Sequence, residues 1–242
     1  MEFELLAFGL ITGFTSGFFG IGGGSILIPM LLVAGFAMKE AVAISIMQMV
    51  FSSIYGSFLN SKKIKGLFRD GIILGVGASV GGLFSGYFLP SIPDIYLQYL
   101  FIAVLIYTIY TLFKAPASQE VIQEDKNIFL LAFIGFCVGI FAMSIGIGGS
   151  LMLLPILVQF LKYDLKVATA LGLFFVIFSS IGGFISTSLY GNMLYYEGAI
   201  IGIGSLIGVY FGIKIKEKTK STSYKKFVLL LNLFVLATMI YK

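Results

Sequence analysis

The sequence predicts an all-α polytopic membrane protein made of two inverted-topology repeats, each beginning with a glycine-broken helical hairpin that three spanning helices follow. Three observations lead to this prediction. The 242 residues are 59% apolar and only 11% charged, whereas about 25% of the residues in soluble domains are charged. Two charge-free runs are too long for single membrane spans. The second half of the chain also repeats the glycine, proline and serine positions of the first half.

The composition excludes several classes of protein. The chain has no His and one Cys, so imidazole catalysis, His-ligated metals and intrachain disulfides are excluded. The 16 Lys and Arg against 11 Asp and Glu are interpreted as loop charge that orients a membrane protein, not as a nucleic-acid patch. We therefore expect no enzymatic activity, cofactor, metal or nucleic-acid partner. The expected partners are a small anionic substrate and membrane lipid, and a homodimer is compatible with them.

Eight segments of the sequence contain no charged residue, and we interpret them as the membrane segments in chain order. They are 5–38, 41–61, 71–93, 95–113, 127–161, 167–196, 198–213 and 227–241. A spanning helix needs about 20 apolar residues, and most of these runs fit one span each. The first and fifth runs would form straight helices about 50 Å long, against a hydrocarbon core of about 30 Å.

Both overlong runs contain a glycine cluster near the middle. The first reads Gly20-Ile-Gly-Gly-Gly24-Ser25, and the fifth reads Gly146-Ile-Gly-Gly149-Ser150. Each Gly weakens a helix interior by about 1 kcal/mol, so several within five residues indicate a break. Each long run is therefore predicted to form a helix, a glycine turn and a second helix.

The two long runs coincide when the sequence is shifted by 126 residues. Gly9, Gly13, Gly20–Gly23, Leu27, Pro29 and Leu31 then fall on Gly135, Gly139, Gly146–Gly149, Leu153, Pro155 and Leu157. With an offset of 127, Ala41, Ala43, Phe51–Ile54, Gly56, Gly71 and Gly75 fall on Ala168, Ala170, Phe178–Ile181, Gly183, Gly198 and Gly202. We interpret this series as a duplication: a first repeat over 1–115, a cytoplasmic linker over 116–126 and a second repeat over 127–242, integrated into one transmembrane domain.

The orientation of the repeats follows from the basic residues. If each long run enters the membrane and returns, one face of the membrane carries 14 Lys and Arg and the other carries 2. Without the breaks the two faces carry nearly equal numbers. Cytoplasmic loops are rich in basic residues, so the broken arrangement is favoured. It inverts the second repeat and puts both termini outside the cytoplasm.

The glycine turns are the predicted binding site. A helix that begins inside the membrane presents unpaired N–H groups and a positive dipole end, which together bind anions, and Gly lets the backbone approach a small ligand. The candidates at the turns are Gly22, Gly23, Gly24, Ser25, Gly146, Gly148, Gly149 and Ser150. Two alternatives remain open: the glycines only allow tight helix packing, and the serine hydroxyls only cap their helices.

The helix after each turn supplies further candidates. Ser45, Gln48 and Ser52 lie on one helical face of an otherwise apolar span, and Thr169 and Ser179 hold similar places in the second repeat. The counterpart of Gln48 is Phe175, so the predicted cavity is asymmetric. The alternative is that these side chains form hydrogen bonds between helices, which contribute about 0.6 kcal/mol on average in membranes.

Ionisable residues are absent from the middle of every predicted span, so the site is expected to hold its anion without a side-chain cation. Asp70 and Glu197 match across the repeat, each at a predicted helix N-terminus. They are candidates for ion coupling, with capping by interaction with the helix dipole as the alternative. Cys137 is interpreted as a packing residue.

The segments GIGGGSILIP at 20–29 and GIGGSLMLLP at 146–155 resemble the TauE/SafE family of sulfite-exporter-like permeases. The resemblance extends over nearly the whole chain. It implies a prokaryotic plasma-membrane permease for small sulfur-containing or organic anions. Our interpretation is a secondary transporter that exports a small oxyanion by alternating access between the two repeats. Two other classes remain open: a passive anion or small-solute channel, and a membrane assembly partner that transports nothing.

Overall fold

A computed structural model describes residues 2–60, 68–114, 127–163, 165–191, 193–219 and 221–241. These residues form helices and short connections and contain no strand. The helices are α1 (Glu2–Phe19), α2 (Gly24–Val33), α3 (Met38–Asn60), α4 (Phe68–Phe88), α5 (Asp94–Lys114), α6 (Ile128–Ser144), α7 (Ser150–Pro155), α8 (Leu165–Tyr190), α9 (Tyr195–Lys218) and α10 (Ser221–Tyr241). A 3-10 turn, Leu89–Ser91, follows α4. The predicted linker, 116–126, lies outside the described residues.

Both predicted helix breaks are confirmed. The first separates α1 from α2, and the second separates α6 from α7. Gly23 precedes α2 with φ 80° and ψ −25°, and Gly149 precedes α7 with φ 76° and ψ −24°. This left-handed conformation costs other residues about 1–2 kcal/mol. The glycines therefore let the chain turn without strain at the same point in both halves.

A proline follows each break at the same offset. Pro29 lies inside α2, and Pro155 ends α7. In the second half the chain continues as a π-helical turn, Ile156–Phe160. Proline removes one helical hydrogen bond and crowds the preceding turn. Regular helix nevertheless continues past Pro29 to Val33, so the wider turn is particular to the second half.

Five helices are long and apolar enough to cross a membrane: α3, α4, α5, α8 and α9. The sixth predicted spanning helix, α10, has a shorter apolar segment, Lys226–Ile240. Large aromatic side chains such as Phe3, Phe58 and Phe129 are at least 75% exposed, as expected for a surface that faces lipid. The prediction of an all-α polytopic membrane protein is therefore confirmed.

The main helix contacts join the two halves of the chain. Helix α1 packs along α9, and α4 packs along both α6 and α8. Helices α3 and α8 contact each other, α2 contacts α10, and α5 contacts α7. A Cβ on Gly13 would collide with the backbone of Ser205 in α9, and one on Gly81 would collide with the Phe136 carbonyl in α6. Glycine thus allows these helices to approach closely.

Candidate functional site

The two glycine turns approach each other in the core between α3 and α8. A Cβ on Gly22 would lie 3.3 Å from Met49 Sδ and 3.3 Å from Val176 Cγ1. A Cβ on Gly148 would meet the same two side chains. Met49 and Val176 correspond to each other under the 127-residue offset. The turns therefore contact one pair of equivalent side chains from two directions.

Polar side chains surround the first turn. A Cβ on Gly23 would lie 2.9 Å from Gln48 Oε1 and 3.0 Å from Gln48 Nε2, so the amide rests against the turn. Ser45 Oγ lies beside Gly24 and donates a hydrogen bond of 2.8 Å to the carbonyl oxygen of Gly146. One predicted site residue of the first half thus binds the second turn directly.

Besides the Ser45 hydroxyl at the Gly146 carbonyl, apolar side chains face Gly146 and Gly149 of the second turn. A Cβ on Gly149 would collide with the Phe175 ring, and one on Gly146 would lie 2.9 Å from Ile28 Cδ1. Gly172, at the position equivalent to Ser45, faces Ser150 and the Gly20 carbonyl. The predicted asymmetry between Gln48 and Phe175 is therefore present in the structure: an amide faces one turn and an aromatic ring faces the other.

Three predicted site side chains form what we call the polar trio: Ser25, Gln48 and Ser150. Their exposed fractions are 1%, 0% and 0%. Within the part of the chain that the structure describes, no hydrogen-bond partner lies in reach of the two hydroxyls or of either amide atom. Leaving such a group buried and unpaired costs about 1–3 kcal/mol.

The hydroxyls of Ser25 and Ser150 do not cap their helices. The N-caps of α2 and α7 are Gly23 and Gly149, and the Ser25 and Ser150 hydroxyls have no hydrogen-bond partner among the described residues. The capping interpretation of these two serines is therefore wrong. Their hydroxyls lie one residue past Gly24 and Gly149 with hydrogen-bonding capacity to offer a ligand.

Ser52 and Ser179 differ from the polar trio. Ser52 Oγ lies 3.4 Å from the Met49 carbonyl oxygen, and Ser179 Oγ lies 3.3 Å from that of Val176. Each hydroxyl thus donates within its own helix, in the equivalent place. Their assignment to the binding site remains a prediction.

Thr169 contacts Lys216, a buried residue that is not among the site candidates predicted from the sequence. Its Oγ1 accepts a hydrogen bond of 2.8 Å from Lys216 Nζ, and the Lys216 side chain is only 2% exposed. The charge-free run ends at 213, which predicts that Lys216 lies in a loop. In the structure α9 continues to Lys218, so Lys216 is helical. One signal was available: Lys216 continues the four-residue spacing of the buried Gly208 and Gly212.

The matched carboxylates occupy the first turns of α4 and α9, as predicted. Asp70 accepts a hydrogen bond of 2.5 Å from the Tyr163 hydroxyl. Burial, together with this hydrogen bond and the nearby carboxylate, raises the pKa of Tyr163. Asp70 and Glu197 are both half-buried. The structure does not bring either of them to the glycine turns, and a role in ion coupling remains a prediction.

A cavity of about 320 Å³ opens at the end of α8 opposite Thr169. Its lining includes Lys39, Ala43 and Tyr190. Tyr190 is 21 residues from Thr169, a separation of about 32 Å along a helix. Ala43 follows Val42, whose Cα would lie 3.1 Å from a Cβ on Gly146. The cavity therefore lies near the second turn, whereas Lys216 lies near the first.

Comparisons with known proteins agree with this architecture. The profile of the family described as "Sulfite exporter TauE/SafE" matches residues 5–239. A probable membrane transporter protein of Methanocaldococcus jannaschii is 29% identical over 242 residues, covering 90% of each chain. One from Bacillus subtilis is 25% identical, covering 84% of this chain and 86% of its own. One from Haemophilus influenzae is 25% identical, covering 98% and 95%. No solved structure matches significantly.

Proposed function

Since the chain belongs to the TauE/SafE sulfite exporter family, we propose that it is a secondary transporter that exports a small sulfur-containing or organic oxyanion. The relatives it matches are named probable membrane transporter proteins. The proposed mechanism is alternating access, with the anion bound at the two glycine turns. The proposed location is a prokaryotic plasma membrane, and neither catalysis nor a cofactor is part of the proposal.

The observation that carries this proposal is the polar trio. Ser25, Gln48 and Ser150 contribute two hydroxyl groups and one amide that are buried and have no hydrogen-bond partner among the described residues, on the helices that begin at the turns or pack against them. Buried polar groups without partners are uncommon because they are costly, and a bound oxyanion would supply acceptors for their donors. The N–H groups at the start of α2 add a partial positive charge.

The burial of the site supports alternating access. The turns and the polar trio are closed off from both faces, which is the arrangement expected of an occluded carrier. A cavity lined by Lys39, Ala43 and Tyr190 opens at one end of α8, and Val42, the residue before Ala43, lies against Gly146 of the second turn. At the other end of α8, Thr169 lies against Gly20 of the first turn. In the proposed mechanism the anion passes between these two ends.

The helix contacts support two inverted repeats over 1–115 and 127–242. If α1 to α5 correspond to α6 to α10, contacts occur in matched pairs. The pair α1–α9 matches α6–α4, the pair α2–α10 matches α7–α5, and the pair α3–α9 matches α8–α4. The two-fold relation would explain why both turns contact Met49 and Val176.

The proposed orientation has Lys218 in the cytoplasm and Tyr190 outside, together with both termini. Labelling of single cysteines at these two positions, in a Cys137→Ala background, tests it with a membrane-impermeant reagent. Tyr190→Cys should react in intact cells, and Lys218→Cys only after the membrane is opened. Equal labelling of both positions in intact cells would contradict the inverted arrangement.

The transport proposal is tested with purified protein. Thermal unfolding is measured in the presence of sulfite, sulfate, thiosulfate, sulfoacetate and simple carboxylates, and the stabilising anion is then used for counterflow in proteoliposomes. We expect saturable counterflow, and we expect Gln48→Leu to weaken anion-dependent stabilisation whereas Ser85→Ala, which removes a buried hydroxyl bonded within α4, does not. A flux that rises linearly with concentration would identify a channel instead. The absence of any anion effect would favour an assembly partner without transport.

A further inference from the structure

A buried hydroxyl group without a partner lies in the wall of the cavity at the end of α8. Thr187 lines this cavity and is 1% exposed, and its Oγ1 has no hydrogen-bond partner among the described residues. Threonines in helices commonly donate to a carbonyl of the preceding turn. Thr12 Oγ1 donates in this way to the Phe8 carbonyl oxygen at 2.7 Å, and Thr111 Oγ1 to that of Tyr107 at 2.8 Å. Thr187 departs from this pattern at a cavity.

A lysine in the same cavity wall retains hydrogen-bond donors. Lys39 Nζ donates to the Pro90 carbonyl oxygen at 2.9 Å. Asp94 Oδ1 lies 3.9 Å from Nζ, which is an ion pair beyond hydrogen-bond distance. An ammonium group has three N–H donors, and the Lys39 side chain is 37% exposed. Donors therefore remain for water or for an anion in the cavity.

Lys39 occupies a position that helix stability does not favour for a cation. It is the second residue of α3, near the positive end of the helix dipole, which attracts anions instead. Under the 127-residue offset it corresponds to Lys166, the second residue of α8. Contact with a ligand would account for a lysine at this place in both repeats.

Two carboxylates near Lys39 are engaged by backbone N–H groups. Glu40 Oε2 accepts a hydrogen bond of 2.8 Å from the Ala37 N–H. Asp94 Oδ2 accepts one of 3.1 Å from the Met38 N–H. Both carboxylates thus stabilise the start of α3. Their charges also weaken the attraction of the lysine for an anion, so a site here would hold its ligand loosely.

We propose that Lys39 and Thr187 form a second anion-binding site, which holds the transported oxyanion before its release at the outer face, the one that the proposed orientation puts outside the cytoplasm. The ligand is the transported anion, so the inference rests on the proposed function. Ala43 lines the same cavity, and Val42 before it lies against Gly146 of the second turn. The site therefore follows the second turn on the outward path. Loose binding suits release, because affinity is set mostly by the rate of dissociation.

The experiment measures anion affinity separately at the two faces of the membrane. Counterflow of radiolabelled sulfite is followed in right-side-out and inside-out membrane vesicles, with vesicles from cells that lack the protein as background. If sulfite does not stabilise the wild type against heat, the panel anion that stabilises it most is used. The variants are Lys39→Gln and Thr187→Val. Their controls are Lys214→Gln, exposed at the far end of α9, and Thr111→Val, buried in α5.

We expect Lys39→Gln to raise the half-saturating anion concentration at the outer face about fivefold, the upper end of the range for an exposed charge pair. Thr187→Val should raise it about tenfold, the lower end of the range for a hydrogen bond to a charged group. At the cytoplasmic face both variants should resemble the wild type, and the controls should do so at either face. Thr187→Val should also raise the unfolding temperature without anion, because it removes an unpaired buried hydroxyl.

The neighbouring carboxylates provide a test of opposite sign. Glu40→Gln and Asp94→Asn each remove a negative charge but keep an oxygen that accepts from the backbone. We expect each to lower the half-saturating concentration at the outer face about twofold to fivefold. If Lys39 only held α3 to α5 through Asp94, Asp94→Asn would weaken anion binding as Lys39→Gln does, and that result would overturn the inference.

The remaining outcomes separate this inference from the proposed function. If the wild type carries no anion of the panel, the proposed function is overturned and the second site with it. If the wild type carries an anion but Lys39→Gln and Thr187→Val affect neither face, or both faces alike, the inference alone is overturned. Size-exclusion chromatography checks the fold, and failure of both variants to fold would also overturn it, since the two residues would then be structural.

Discussion

The first glycine turn has an amide side chain against Gly23, whereas the second has an aromatic ring against the equivalent Gly149. Gly23 and Gly149 have φ angles of 80° and 76°, so the backbones match. The side chains facing them are Gln48 and Phe175. At the start of each turn, Gly20 faces Thr169 and Gly146 faces Ile28 and Val42. The backbone is thus shared between the halves, but the chemistry around it is not.

This difference separates two requirements on the molecule. Breaking a helix at a chosen depth needs only glycines in the left-handed conformation, and both halves meet that requirement. Recognising a ligand needs donors and acceptors at defined places, and at the equivalent positions 48 and 175 only the first half supplies them. Substitutions of the turn glycines should therefore impair transport equally in both halves. Substitutions of Gln48 and Phe175, which face the turns, should affect anion binding differently.

The largest loss of transport is expected from substitutions of Gly23 and Gly149, whose backbone conformation is the same in both halves. Gly23→Val and Gly149→Val each put a β-branched residue at a positive φ, which is strained. The new side chain would also fill the space where backbone N–H groups meet a ligand. We expect both variants to reach the membrane and to show no saturable counterflow. The control is Gly56→Ala, whose new Cβ would lie 3.4 Å from its nearest neighbour. Normal counterflow in both Val variants would contradict a site at the turns.

The next largest effect is expected at Gln48, and it should be absent at the equivalent Phe175 of the second half. Gln48→Leu should raise the half-saturating anion concentration about tenfold to a hundredfold, since an amide contact to an anion is lost. It should also raise the unfolding temperature of the ligand-free protein, because an unpaired buried amide costs about 1–3 kcal/mol.

Phe175→Leu is the matched substitution in the other half. It should lower stability by about 1 kcal/mol and leave the half-saturating concentration near that of the wild type. Thermal unfolding with and without the anion measures both quantities. Equal losses of affinity in the two variants would remove the distinction between the turns.

A smaller effect is expected for the two hydroxyls of the polar trio. Ser25→Ala and Ser150→Ala each remove one hydroxyl donor to the anion, so the half-saturating concentration should rise about tenfold, the lower end of the range for a hydrogen bond to a charged group. Ser85→Ala is the control, because its buried hydroxyl donates a hydrogen bond of 2.7 Å to the carbonyl oxygen of Gly82 in the same helix. Counterflow at graded anion concentrations is the measurement. If Ser85→Ala matches the other two, the unpaired hydroxyls have no special part in binding.

The smallest effect is expected for the matched carboxylates, which lie away from both turns. A weak acid such as sulfite should bind as its monoanion, because the cost of desolvation rises steeply with charge. Affinity expressed in total sulfite should therefore weaken as pH rises through the pKa of the substrate. Asp70→Asn and Glu197→Gln should leave this dependence unchanged. If either variant makes transport independent of pH, that carboxylate carries the coupled proton.

Sequence reasoning recovered the helix breaks because glycine clusters act locally. Gly20–Gly24 and Gly146–Gly149 disrupt helices wherever they occur, and the length of the runs around them shows that each must be broken. The polar trio was found for a related reason, since Ser25 and Gln48 are conspicuous in an apolar neighbourhood.

What sequence reasoning missed depends on contacts between distant segments. Nothing in the run of three lysines near 216 shows which of them turns inward, because that depends on α8 supplying Thr169 from 47 residues away. The pairing of α1 with α9 was equally hidden. These helices are apolar around most of their circumference, so no polar face indicates which side meets a partner.

The glycine contacts between α1 and α9, and between α4 and α6, have a mechanical consequence. In both pairs a helix of one half meets the backbone of a helix from the other half, with no side chain between them to slide or rotate. Disulfide crosslinks within either pair should therefore leave counterflow intact, whereas a crosslink between α3 and α8 should stop it. Under the proposed alternating-access mechanism, the moving blocks would each combine helices from both halves of the chain, α1 with α9 in one and α4 with α6 in the other.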